Sequence, residues 1–181
     1  MSPVKSPWEK FSLPGEAAAY ALGSTREFVK TIRETFGPLV ERVDRIPAGR
    51  HPWLMVEVPA EGSLSAFFRD LEERMEPTGS LWTVFPKKPF LAELAFPFLW
   101  LDVQKAGLAA GLVDNKIAAF SPRLTSIRFV VPVARRGPRE DARRGPREDA
   151  RRGPREDARR GPREDARRGP REDARRRRRT A

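Results

Sequence analysis

Two ammonium groups stand side by side at Lys87 and Lys88, just past Pro86 and the apolar run 80–85. Cations that leave a buried strand suit a phosphate or carboxylate, because ligands of open α/β sheets bind outside the carboxyl ends of the strands. The competing reading is two solvated charges whose stems cover apolar surface. Asp114 and Lys116 lie two apart in a run that reads as a strand, so they are expected on one face. With Lys88 they would form a polar cluster in which Lys116 joins Lys87 and Lys88 as a candidate anion-binding cation, and the simpler alternative is a local ion pair of Asp114. His51, between Arg50 and Pro52, is expected as an isolated side chain of a surface loop.

The remaining chemistry is mostly excluded. The 181 residues contain no Cys and one His. That rules out a disulfide framework, a thiolate zinc site, a thiol nucleophile and any multi-histidine metal centre. No Ser or Asp motif accompanies His51 to suggest a triad. The chain has no Gly-x-Gly-x-x-Gly and no Walker A motif. No Gly-rich turn follows the first strand that the pattern predicts, so binding of a nucleotide or S-adenosylmethionine is not expected, nor is any other cofactor or metal. The N-terminus lacks the apolar stretch of a signal peptide, and the run 94–101 is too short to span a bilayer. A cytoplasmic location is expected.

The elements that must position these side chains fall within the first 133 residues. Residues 1–23, with Pro3, Pro7, Pro14 and Gly15, read as an irregular arm. A capping box at Ser24 and Glu27 opens a helix that Gly37 and Pro38 end. Residues 39–46 alternate imperfectly and predict a short strand. Residues 53–58 read as a strand between Pro52 and Pro59. Leu64, Phe67, Phe68, Leu71 and Met75 then recur at helical spacing, with charges on the opposite face. Residues 77–79 are expected to stop the chain before a strand over 80–85. A helix is predicted from about residue 97 or 98 to 110, followed by strands over 112–120 and 124–131 that form an antiparallel hairpin. Alternation of this kind predicts an α/β domain over 24–133, with a mostly parallel sheet and a C-terminal antiparallel hairpin. Phe96, Phe98 and Trp100 crowd a short segment that reads as core or, where exposed, as a contact with a second copy or another partner.

The last 48 residues follow other rules. Ala134 begins the octapeptide Ala-Arg-Arg-Gly-Pro-Arg-Glu-Asp, which occurs five times without change. The segment 134–181 holds 20 Arg against 10 Asp and Glu, so it supplies +10 of the formal net charge of +11. It has no side chain able to form a core, and Gly-Pro recurs in every unit, so a disordered tail is expected. Arg175, Arg176, Arg177, Arg178 and Arg179 concentrate the charge. They predict weak, salt-sensitive contact with nucleic acid or another polyanion, against the alternative of a passive product of repeat slippage.

Three segments carry a family resemblance. Gly79 to Lys88, with Trp82 and the Pro-Lys-Lys end, resembles domain-of-unknown-function family three thousand fifty-two of bacteria. So do Gly111 to Phe120, with Asp114 and Lys116, and Leu124 to Val130, with Arg128 before Phe129. The resemblance implies a small Rossmann-like three-layer domain over roughly 53–131 and brings no established activity. Residues 15–45 do not show the family's usual opening, and Phe90 to Leu94 replaces a segment that usually contains Asp. The expected function is accordingly a non-enzymatic binding or interaction domain that holds a small anion near Lys87 and Lys88. The first alternative is a small or degenerate methyltransferase-like enzyme. The second is association with polyanions through the tail.

Overall fold

A computed structural model describes residues 6–15 and 17–136. The tail, including Arg175 to Arg179, lies outside the described residues. Six strands form one sheet in the order β2-β1-β3-β4-β6-β5, with β1 at Ala19–Leu22, β2 at Glu41–Val43, β3 at His51–Glu57, β4 at Met75–Pro86, β5 at Val113–Ala119 and β6 at Leu124–Val130. Strands β2, β1, β3 and β4 pair in parallel, and β6 runs antiparallel between β4 and β5. The α/β class, the mostly parallel sheet and the terminal hairpin are as expected from the sequence.

The sheet has two covered faces because its central strands are apolar on both sides. Trp53 and Met55 of β3, with Trp82 and Val84 of β4, face a layer built from α1 (Pro7–Phe11) and α2 (Arg26–Thr31). Leu54 and Val56, with Leu81 and Phe85, face α3 (Leu64–Glu73) and α4 (Trp100–Ala109). Helix α3 buries Phe68 and Leu71 and exposes Arg69, Asp70 and Glu73, as its periodicity requires. Among the described residues no helix is long and apolar enough to cross a membrane.

Two expectations need correction. The N-terminal arm is not irregular. It contains α1, whose Ser6 cap forms a full capping box with Glu9, and it contains β1, which pairs with both β2 and β3 inside the sheet. The α/β unit therefore begins well before residue 24. Residues 77–79 also do not stop the chain but lie within β4. Its register against β3 jumps from His51 opposite Met75 to Trp53 opposite Ser80, so three extra residues bulge out and the Pro is tolerated there. Gly79 sits where a Cβ would come within 2.9 Å of the His51 carbonyl and 3.1 Å of the Pro52 carbonyl, so a side chain is excluded by backbone.

Candidate functional site at the carboxyl edge of the sheet

Strand β1 is the point where the chain reverses direction across the sheet. From β1 it passes through α2 to β2 on one side, then returns to β3 on the other. Crevices outside the carboxyl ends of strands at such a point are where open α/β sheets bind ligands. A cleft of about 1290 Å³ lies there, lined by the ends of β1, β2, β3 and β4 and by the β5–β6 turn.

The floor of the cleft is the β1–α2 turn. Gly23 is packed so closely that a Cβ would meet the Phe28 ring at 2.5 Å and Glu57 Cβ at 2.8 Å. Only glycine lets β1 turn into α2 against β3 in this way. Thr25, rather than Ser24, caps α2, and its Oγ1 accepts from Phe28 N at 3.3 Å. Glu57, at the end of β3, accepts from the amides of Ser24 and Thr25 at 2.9 and 3.0 Å, and Thr25 Oγ1 donates to its other oxygen. The turn's free amides are thus met by a carboxylate of the protein itself. Asp44 follows β2 and is 91% exposed, with Arg42 at 3.2 Å.

The far wall is the turn between β5 and β6. Lys87 Nζ donates to the carbonyls of Ser121 and Pro122, both at 2.8 Å, and Lys87 N donates to Arg123 O at 2.8 Å. Ser121 Oγ donates to Glu27 of α2. The Arg123 guanidinium meets Glu93 at 2.5 Å and Glu27 at 3.8 Å and lies 5.3 Å from the centre of the Phe90 ring.

These contacts place the residues singled out in the sequence. Lys87 and Lys88 do not line the cleft. Lys87 fixes its wall, and Lys88 is an exposed residue of the 3-10 turn Lys88–Phe90. Lys116 is not beside them. It stands opposite Arg128, which pairs with Trp82, and Lys87 lies five residues beyond Trp82, roughly 16 Å along the strand. Asp114 and Lys116 do not share a face, because the register of β5 against β6 shifts between them. Asp114 accepts from Gln104 of α4 at 2.9 Å, whereas Lys116 Nζ donates to the Lys10 carbonyl on the α1 side and lies 5.8 Å from the centre of the Trp82 ring. The proposed cluster of Lys88, Asp114 and Lys116 is therefore not assembled.

His51 is no surface-loop residue. It opens β3, is 8% exposed, and its Nε2 lies 3.0 Å from Pro47 O. Phe96 belongs to the core and Phe98 packs against it, so of the three aromatic residues expected at a partner contact only Trp100 is exposed. Arg128 has a buried Nε with no hydrogen-bond partner. Burial first, and then the nearby Arg136, lowers its pKa. Among the described residues no three His, Asp or Glu side chains gather to hold a metal ion.

Gly23, Thr25, Asp44, Glu57 and Arg123 shape the cleft, and none of them is among the candidate site residues expected from the sequence. The signal was present but displaced. Gly23 follows a strand hidden in the supposed arm, and Asp44 lies 21 residues further on, a spacing common to sheets of this type.

The fold is similar to that of solved structures. The chain resembles the complex between the Haloferax volcanii Trm112 methyltransferase activator and the putative methyltransferase, with a TM-score of 0.50 at 8% identity, over 70% of this chain and 87% of that one. It also matches a TehB-like methyltransferase dependent on S-adenosylmethionine (SAM) from Corynebacterium glutamicum, with a TM-score of 0.43 at 8% identity, over 72% of this chain and 89% of that one. No protein-family model and no curated protein matches the sequence. The chain is a Rossmann-like α/β domain, a fold it shares with these two structures.

Proposed function

We propose that this is a methyltransferase-like domain whose cleft binds a nucleoside ligand of the S-adenosylmethionine class. The observation that carries this reading is the cleft itself, at the switch point beside β1, with the Gly23 turn as its floor and the carboxylate of Asp44 at the end of β2. It favours the methyltransferase-like alternative over a non-enzymatic anion-binding domain, because Lys87 and Lys88 do not line this cleft. The residues fit such a ligand. The Gly23 turn brings backbone to the floor of the cleft, and Asp44 offers a carboxylate to ribose hydroxyls. Glu57 already fills the turn's amides, which suits a ligand without phosphates better than a nucleotide. When bound, S-adenosylmethionine would supply an electrophilic methyl group. In the same reading the chain is a divergent relative of domain-of-unknown-function family three thousand fifty-two, through the β4 end and the β5–β6 hairpin.

Calorimetric titration with S-adenosylhomocysteine tests the proposal. Saturable binding is expected, weakened roughly tenfold or more by Asp44→Ala, because hydrogen bonds to a charged group carry ~1.5–3 kcal/mol. Absence of binding at millimolar ligand, or equal affinity in the variant, would overturn it.

A further inference from the structure

The cleft is larger than one ligand needs. Its volume of about 1290 Å³ exceeds the roughly 300–1,000 Å³ of ordinary small-molecule sites. A nucleoside seated between Gly23 and Asp44 uses the β1–β2 half. The other half lies outside β4 and the β5–β6 turn and has a different character. Pro86 and Leu94 give it apolar surface, and Arg123 stands in its wall. We propose that this half receives a second reactant, an apolar molecule with a single carboxylate, and that Arg123 holds that carboxylate. The inference rests on reading the first half as the nucleoside site.

Arg123 is built to present its guanidinium. The backbone of its turn is tied down by Lys87 through Ser121, Pro122 and Arg123 carbonyls, and Arg123 N donates to Ser121 Oγ at 3.2 Å. The Phe90 ring supports the planar head group. Its two carboxylate partners hold it unequally. Glu27 is at 3.8 Å and already accepts from Ser121 Oγ. Glu93 is at 2.5 Å, but its side chain is 63% exposed, and ion pairs of that kind are worth about 0–1 kcal/mol. A guanidinium has five donors in a fork that matches a carboxylate in bidentate fashion. A ligand carboxylate, drier than Glu93 once its apolar body covers Pro86 and Leu94, can take that place.

The cleft also states how much negative charge it accepts. Five acidic residues (Glu27, Glu34, Asp44, Glu57, Glu61) line it together with four basic ones (Arg26, Lys30, Arg42, Arg123). At Arg123 itself the carboxylates are Glu27 and Glu93, so a monoanion that displaces Glu93 keeps the local balance of charge, whereas a dianionic phosphate adds one negative charge beside Glu27. Lys87 acts here as a positioning residue, since its ammonium is committed to the turn that carries Arg123.

The test compares 4-phenylbutyrate with its uncharged amide in titrations of the full chain, with S-adenosylhomocysteine titrated separately. The acid is expected to bind at least tenfold tighter than the amide. Arg123→Gln should abolish that preference. Glu93→Gln, an exposed substitution that leaves the fold intact, should tighten the acid by up to about fivefold by removing its competitor. Equal binding of acid and amide, or a preference that survives Arg123→Gln, overturns the assignment. A preserved acid preference with no S-adenosylhomocysteine binding would instead overturn the nucleoside reading and leave the Arg123 site standing.

Discussion

Trp53 and Trp82, on neighbouring strands, direct both indole N–H groups at one acceptor, the Phe11 carbonyl, at 3.0 and 2.9 Å. A carbonyl oxygen has two lone pairs, so both bonds are satisfied at once. Phe11 ends a helix of only five residues, too short to persist alone. Its ring, packed edge-on against Trp82 and Phe36, and its carbonyl together tie that helix to the sheet.

This double anchor predicts unequal costs. Phe11→Ala removes a fully buried ring and loosens the carbonyl, and should lower stability by about 3–5 kcal/mol in urea denaturation. Trp82→Phe keeps most of the packing and leaves Trp53 on the carbonyl, so about 1 kcal/mol is expected for the lost hydrogen bond, plus a smaller packing loss. A Phe11→Ala cost below 1 kcal/mol would show that α1 does not hold the face closed.

Gly107 inverts a general rule. Replacing a glycine inside a helix by alanine normally stabilises by about 1 kcal/mol. Here the new Cβ would lie 2.3 Å from the Phe129 ring, which is buried beneath α4. Gly107→Ala should therefore lower the melting temperature, with a loss of roughly 1–3 kcal/mol from overpacking. Phe129→Leu in the same chain should recover part of that loss, which a double-mutant cycle measures.

Arg128 and Arg135 are expected to behave in opposite ways despite identical chemistry. Arg128 buries an Nε without a partner, and the cost of such a donor disappears when the side chain is made apolar. Arg128→Met should leave stability unchanged or raise it by up to about 1 kcal/mol. Arg135 donates to the Gly111 carbonyl at 2.8 Å and to Glu72 at 3.0 Å, and it fills the space beside a residue at φ +83°. Arg135→Ala should destabilise by about 0.5–1 kcal/mol, the value of an exposed pair and one hydrogen bond. Parallel thermal melts check both signs.

The elements legible in the sequence are those whose pattern is set locally. Helix α3 declares itself through Leu64, Phe67, Phe68 and Leu71, and β3 through an apolar run bounded by prolines. Strand β1 does not, because Ala19 and Ala21 are small and only packing under Phe28 and Phe36 makes the segment Ala-Tyr-Ala-Leu a strand. Missing β1 hid Gly23, and with it the whole cleft, since the strand order that creates the switch point is a tertiary fact. The pairing of Asp114 with Lys116 failed for a related reason. Strict alternation puts them on one face, but the irregularity after Asp114 turns them to opposite sides, and nothing in the residue types announces it. Lys87 was selected for its charge, and packing assigned that charge to carbonyls.

The floor of the cleft depends on Glu57 in a way that separates charge from shape. Its two oxygens take three donors: the amides of Ser24 and Thr25 and the hydroxyl of Thr25. Glu57→Gln keeps the length of the side chain and one carbonyl oxygen, so one group of donors stays satisfied. Glu57→Ala leaves all three without an acceptor from the protein. Each unsatisfied group that water reaches poorly costs about 1–3 kcal/mol, but this turn is exposed, and water will replace part of what is lost. The expected order is therefore a loss of about 1 kcal/mol for Glu57→Gln and about 2 kcal/mol for Glu57→Ala. Hydrogen exchange locates the effect. The Ser24 and Thr25 amides should exchange faster in Glu57→Ala, while amides of β3 and β4 change only as far as global stability does. Unchanged protection at Ser24 and Thr25 would mean that the helix cap, and not Glu57, holds the turn.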